Sequence, residues 1–456
     1  MAKLWQKDYQ LDALVEEFTV GEDWKLDRQL LTADALASIA HARMLASIDI
    51  LTPDELQQLE EGLREILRKV GRDEFAIRPQ DEDGHTAIEN ALVESLGEAG
   101  KKIHTGRSRN DQVLTALRVW TRDASHRLAA AALETAAAFL ELAEGHADVP
   151  LPGRTHMQIA MPASVGLWAG SFAEELLDGA LYLQQAARHV DQSPLGSAAS
   201  YGVPLPLNRQ MTADLLGFRS LQHNVLYANN TRGKFEAILL DAAEQLMLSL
   251  SKAAQDLILF SMPEFGYFTL PKELCSGSSI MPQKRNPDML ELIRGKAATV
   301  SGYAQQIKQV IRSLPSGYNR DFQETKEPFL RGMRLTYRSL KVMSLTVREL
   351  QVNRVVLEAA MPPEIYATDA AIEKVQAGMS FRDAYVEVGT HLDQLRSRTA
   401  AESLALRTSE GAPGNLGLDK VRTEIEAAQS ALEKSAGENR RKMEGLAGAA
   451  VEVAPL

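Results

Sequence analysis

The stretch from Arg107 to Glu144 contains neither glycine nor proline, and along it Val113, Leu117, Trp120, Ala124, Leu128 and Ala131 recur at spacings of three and four. That period marks one face of an α-helix. As a single helix the stretch is roughly 57 Å long at 1.5 Å per residue, so the chain needs an elongated scaffold to cover it. Two more stripes have the same period. Phe235, Leu239, Ala242, Leu246, Leu250, Ala253, Leu257 and Phe260 lie between Gly233 and Pro263, and Ile293, Ala297, Val300, Ala304, Ile307 and Ile311 follow Pro287. Pro287 stands where a first helical turn tolerates it, and Pro315 closes the far end. Narrow stripes rich in alanine suit helices packed closely at shallow angles in a bundle. Alternating strand-type runs are scarce and the hairpin dipeptide Asn-Gly is absent, so the expected fold class is mainly α.

Composition shifts divide the 456 residues into three regions: a helical 1–106, a long-helix bundle 107–361, and a more polar helical 362–456. The first holds shorter helices at Thr32–Ile50 and Pro53–Val70, then a charged stretch from Arg78 to Gly84. Pro362 and Pro363 open the third, which passes through Gly411–Gly417 into a charged last helix. The net charge of −11, from 50 basic and 61 acidic residues, disfavours a nucleic-acid partner. A lone cysteine, Cys275, excludes an internal disulfide and a cysteine zinc cage, which points to a reduced compartment and makes the cytoplasm the default. Lys3, Lys7, Asp8, Asp12, Glu16 and Glu17 interrupt any secretion-type apolar run, and no later stretch is long enough for a membrane span. Neither a nucleotide-binding glycine motif nor an H-E-x-x-H pair is present, and His85 and His104 are isolated, so no cofactor or metal is expected.

Four segments at breaks between helices carry hydrogen-bonding chemistry. Gly277–Asp288 opens with a glycine and two serines, is kept from helix by two prolines, and delivers Lys284 and Asn286 ahead of a helix start, which makes an anion site. His104–Asp111 lies where the long helix begins, so Ser108 and Asn110 either cap it or donate to a ligand. Gly153–Gln158 carries Thr155 and His156. Glu291, one turn into the helix after the first segment, is a carboxylate that would orient that imidazole and raise its pKa. Leu314–Lys326 places Tyr318, Gln323 and Lys326 within a short reach.

The first segment closely resembles the signature G-S-S-x-M-P-x-K-x-N-P of the fumarase, aspartase and argininosuccinate lyase superfamily. The other three resemble its argininosuccinate lyase branch, His104-Thr105-Gly106-Arg107-Ser108-Arg109-Asn110-Asp111 being the most specific. The likeness runs from Leu26-Asp27 through Asp81–Thr86 to Ser380–Tyr385, nearly the whole chain. It implies a three-domain fumarase/aspartase-like fold and a reversible β-elimination that splits argininosuccinate into arginine and fumarate, the last step of arginine biosynthesis. It also implies a homotetramer whose active sites are shared between subunits. Carried over residue by residue, Ser278 is the base on a mobile loop and Lys284 and Asn286 hold substrate carboxylate. His156, held by Glu291, is acid or binding group, and Thr155 is a donor beside it. Ser108, Arg109, Asn110, Tyr318, Gln323, Lys326 and His85 bind substrate. The chain departs from the family at Leu4-Trp5-Gln6-Lys7, at Arg154 where an aromatic is common, and at Tyr385 where histidine is common. Another lyase of the superfamily, or a binding protein that keeps the fold without the activity, are the competing readings.

Overall fold

A computed structural model describes residues 12–456; the Leu4–Lys7 departure lies outside them. The fold is mainly α. After two short helices, Ala13–Val20 and Asp23–Leu26, come the longer helices α1 (Leu31–Ser47) and α2 (Pro53–Gly71), and α2 is started by a capping box in which Thr52 and Glu55 satisfy each other's backbone amides. Helix α3 (Gly84–Leu96) leads to α4 (Arg109–Gly145), the long helix anticipated from periodicity. It begins two residues later than the sequence pattern because Ser108 is its N-cap. All six residues of its stripe are buried, and Trp120 is fully enclosed against the edge of Phe329, with ring centroids 5.9 Å apart. Truncating such a side chain to alanine costs about 3–5 kcal/mol.

A hairpin of β1 (Pro150–Thr155) and β2 (Gln158–Ser164) joins α4 to α5 (Val165–Val190). The sequence has this segment as a break between helices and leads one to expect few strands. Its turn residues, His156 and Met157, both take left-handed φ, 54° and 63°. A two-residue hairpin turn needs that conformation, usually supplied by Asn-Gly. Where the strand register shifts, Gly153 lets the partner strand approach; a Cβ there would lie 2.6 Å from the Met161 carbonyl oxygen.

Helices α6 (Lys234–Ser261), α7 (Asp288–Ile311) and α8 (Lys326–Arg348) complete the bundle. Successive bundle helices run antiparallel. Arg118, early in α4, donates to the Val190 carbonyl at the end of α5, and Trp168, early in α5, donates to Asp256 near the end of α6. The bundle therefore has two ends. The starts of α4, α6 and α8 meet the finishes of α5 and α7 at the proximal end; the hairpin, the start of α7 and the finish of α8 lie at the distal end. Phe268–Thr269 pairs with Gln351–Val352 there.

One continuous core joins α1, α2 and the bundle, and α11 (Leu418–Ala447) returns from the third sequence region to pack on it. Helices α9 (Ala367–Gln376) and α10 (Phe381–Thr390) close over a separate small core of Ala371, Ala384 and Val388. No helix among the described residues is long and apolar enough to cross a membrane.

Candidate active site

At the proximal end the cap of α4 organises the surroundings. Ser108 Oγ accepts from the Asn110 amide at 3.3 Å, and Asp111 Oδ1 accepts from the Ser108 amide at 2.9 Å. The other oxygen of Asp111 accepts from the Gly196 and Ala198 amides, each at 2.9 Å, which fastens the Gly196–Gly202 loop beside the helix start. Burial pushes this carboxyl above the usual range, with the amide donors working against it. The Asn110 side chain is half-buried and makes no hydrogen bond within the described chain.

Several residues expected to bind substrate are engaged inside the chain. Lys326 is buried and its ammonium sits 2.7 Å from Asp27 and 3.0 Å from Asp23. His85 is buried with Nδ1 on the Asp34 carboxylate; burial opposes its charge, but Asp34 together with Asp83 and Asp27 outweighs it and holds the imidazole above its ordinary pKa. Arg109 bridges Glu82 at 3.0 Å, Asp83 at 3.4 Å and Thr86 at 2.8 Å. Gln323 donates to the Thr19 and Val20 carbonyls at 3.3 Å each, tying the fourth segment to the short helix Ala13–Val20. Tyr318 remains partly exposed, its ring 5.3 Å from the Arg232 guanidinium. Ser108 and Asn110 are half-buried and Tyr318 is exposed, while His85, Arg109, Gln323 and Lys326 are bonded into a fixed wall at this end.

The acidic residues that organise this end were given no role from the sequence, though three of them carried a signal. Asp111 follows Ser108 by the spacing of a capping box, and Asp23 and Asp27 are four apart, as two carboxylates flanking one cation can be.

At the distal end, residues 276–286 form a loop pinned at its neck. Ser276 and Asn286 exchange backbone hydrogen bonds of 3.0 and 2.9 Å, and Ser276 also donates its hydroxyl to Asp288. Inside the loop Ser278 Oγ accepts from the Ile280 amide at 3.3 Å and the Met281 amide at 3.1 Å, and Asn286 donates to the Gly277 carbonyl at 3.4 Å. Beyond its neck the loop lies open; Ile280 is 82% exposed. Lys284, Glu291, Thr155 and His156 are all exposed, and no hydrogen bond joins His156 to Glu291 within the described chain.

The four segments therefore separate into two sets. Ser278, Lys284, Asn286, Glu291, Thr155 and His156 are distal; His85, Ser108, Arg109, Asn110, Tyr318, Gln323 and Lys326 are proximal. Helix α7 alone, Asp288–Ile311, holds the two sets roughly 36 Å apart. No single chain can close both around one small molecule.

A family model described as Lyase matches residues 7–302. An argininosuccinate lyase of Sorangium cellulosum is 44% identical over 92% of this chain and 97% of the relative, and one of Parabacteroides distasonis is 43% identical over 91% and 92%. Among solved structures, an EDDS lyase in complex with formate superposes with a TM-score of 0.79 at 21% identity, covering 96% of this chain and 95% of that one. A fumarate lyase from Mesorhizobium sp. BNC1 gives 0.67 at 17% identity, covering 96% and 100%. The structures share the fold; the sequence relatives place the chain more narrowly, and it belongs to the argininosuccinate lyase family of lyases.

Proposed function

We propose that this enzyme cleaves argininosuccinate reversibly into arginine and fumarate, as the last step of arginine biosynthesis in the cytoplasm. The observation that carries this reading is the environment of Ser278. A serine hydroxyl is ordinarily a poor base, but here two backbone amides already point at its oxygen and favour the ionised form. In that form it removes a proton from the carbon beside one succinyl carboxylate. The electron pair left behind spreads into that carboxylate, then forms the C=C bond of fumarate as the C–N bond breaks. His156 gives a proton to the departing guanidino nitrogen, with Glu291 as its partner in the assembled site.

Holding the doubly charged carboxylate is the demanding step. A rate enhancement of 10⁶ needs about 8 kcal/mol of transition-state stabilisation, and one preorganised donor supplies roughly 2.7–4 kcal/mol. Lys284 and Asn286 on the loop, with Ser108, Asn110 and Thr155, provide enough donors without a metal or other cofactor. Tyr318, at the proximal end with Ser108 and Asn110, adds a further contact to substrate, while His85, Arg109, Gln323 and Lys326 act by fixing the wall at that end.

Because the proximal and distal sets are tens of ångströms apart in one chain, the reading requires more than one copy per site, and the family resemblance implies a homotetramer in which different copies bring them together. The three regions 1–106, 107–361 and 362–456 then act as an N-terminal wall, the oligomerising bundle and a C-terminal helical region whose last helix packs back on the bundle. Replacing Ser278 by alanine tests the chemistry: fumarate release from argininosuccinate, followed by ultraviolet absorbance, is abolished while fold and assembly persist. Near-normal turnover would remove Ser278 from the base role.

A further inference from the structure

We propose that Arg154 is a positioning residue for His156, holding the hairpin turn in the one conformation that presents the imidazole; this rests on the catalytic reading of His156 above. The turn has an internal conflict. His156 and Met157 occupy consecutive left-handed positions, with φ of 54° and 63°, although neither is glycine and methionine is poorly suited to that region. Strand pairing on either side, Thr155 with Gln158 and Arg154 with Ile159, fixes the turn at two residues and prevents it from relaxing into a longer loop. Something must hold it closed.

Arg154 does so from the adjoining strand position. Its Nη1 donates to the Met157 carbonyl at 3.2 Å, bonding to the more strained of the two turn residues. The same guanidinium lies 5.1 Å from the centre of the Phe265 ring, in the segment that follows α6. Phe265 in turn packs edge-on against Tyr267 and Phe260, with ring centroids 5.3 and 6.4 Å away, and so is anchored to the bundle. A planar cation that stacks on a ring while donating in its own plane can serve both contacts at once, which a lysine ammonium cannot. The chain of contacts thus runs from bundle to Phe265 to Arg154 to the Met157 carbonyl, and Thr155 and His156 lie between the two clamped points.

Misplacing a catalytic group by about an ångström costs on the order of 10²-fold in rate. Arg154→Met is therefore expected to lower kcat by roughly tenfold to 100-fold while KM for argininosuccinate stays within about twofold. Combining it with His156→Ala gives the decisive reading, because an arginine that works only through His156 has nothing left to position. The double variant is expected to be no slower than His156→Ala alone. Arg154→Lys, which keeps one donor for the Met157 carbonyl, is expected to fall between wild type and Arg154→Met, and it replaces the methionine variant should that one fail to assemble. Wild-type kcat in these Arg154 variants, a change confined to KM, or a loss that multiplies fully with His156→Ala would overturn the proposal. Should His156→Ala itself turn over normally, the fault lies with the role given to His156, and the positioning role falls with it.

Discussion

The two ends of the bundle solve opposite problems. The proximal end is finished within one chain: Lys326 lies between Asp23 and Asp27, His85 on Asp34, Arg109 among Glu82, Asp83 and Thr86, and hardly any of their charge is left over. The distal end is unfinished. Its loop is tied only at the neck, its hairpin turn is strained, and Lys284, Glu291 and His156 have no partner in the described chain. In the proposed assembly the site is rigid on one side and waiting on the other, with preorganised amides and hydroxyls meeting groups that would acquire their partners from another copy. Substitutions at the distal end should therefore change rate with little effect on stability, and those at the proximal wall should do the reverse.

The largest contrast is expected between Ser278→Ala and Lys326→Met. The first abolishes turnover and leaves the urea unfolding midpoint unchanged. The second leaves Asp23 and Asp27 without their buried counter-charge and costs about 3–5 kcal/mol of stability, read from the same unfolding curves. A Ser278→Ala protein that unfolds early, or a Lys326→Met protein of normal stability, breaks the division between the two ends.

A smaller effect sharpens it through pH. His104 is held down to about 4, first by burial and then by the neighbouring Arg107. Its folded pKa lies below the unfolded value of about 6.5, so the unfolded chain binds the extra proton in between and stability falls as pH drops from about 6.5 to about 4. His85 has the opposite sign. Its raised folded pKa gives a contribution that is complete below about 6.5 and is lost as pH rises through the raised value. His104→Asn should flatten the acid limb of stability against pH and His85→Asn the alkaline limb; unchanged limbs would show that these histidines are not the groups responsible.

The smallest effect belongs to the distal turn. Met157→Gly removes a side chain from a left-handed position and should stabilise the protein by about 1 kcal/mol, visible as a small rise in melting temperature. A fall would mean that the methionine makes contacts worth more than the strain it carries.

How legible all this was in the sequence follows from range. The long helices were plain because period and breakers are local: the Val113–Ala131 stripe and Pro287 locate α4 and α7 to within two residues. The hairpin was not, because its turn is made by His156-Met157, a pair no turn preference would select, and is held by Arg154 and Phe265 from outside. Site residue types were legible from four helix breaks and a family resemblance, yet not their bonding. Lys326 reads as a ligand in isolation; Asp27, 299 residues away, makes it part of a wall. The small core under α9 and α10 was hidden for a similar reason, since Ala371, Ala384 and Val388 are too few to mark a stripe.

That the two ends must come from different copies is tested most directly by mixing two inactive variants, Ser278→Ala from the distal end and Asn110→Ala from the proximal end. Each alone should release no fumarate. Refolded together into mixed assemblies, they should regain activity, because some sites receive an intact loop from one copy and an intact Asn110 from another. Mixed assemblies that form, as shown by a mass tag on one variant, yet stay inactive would contradict the account.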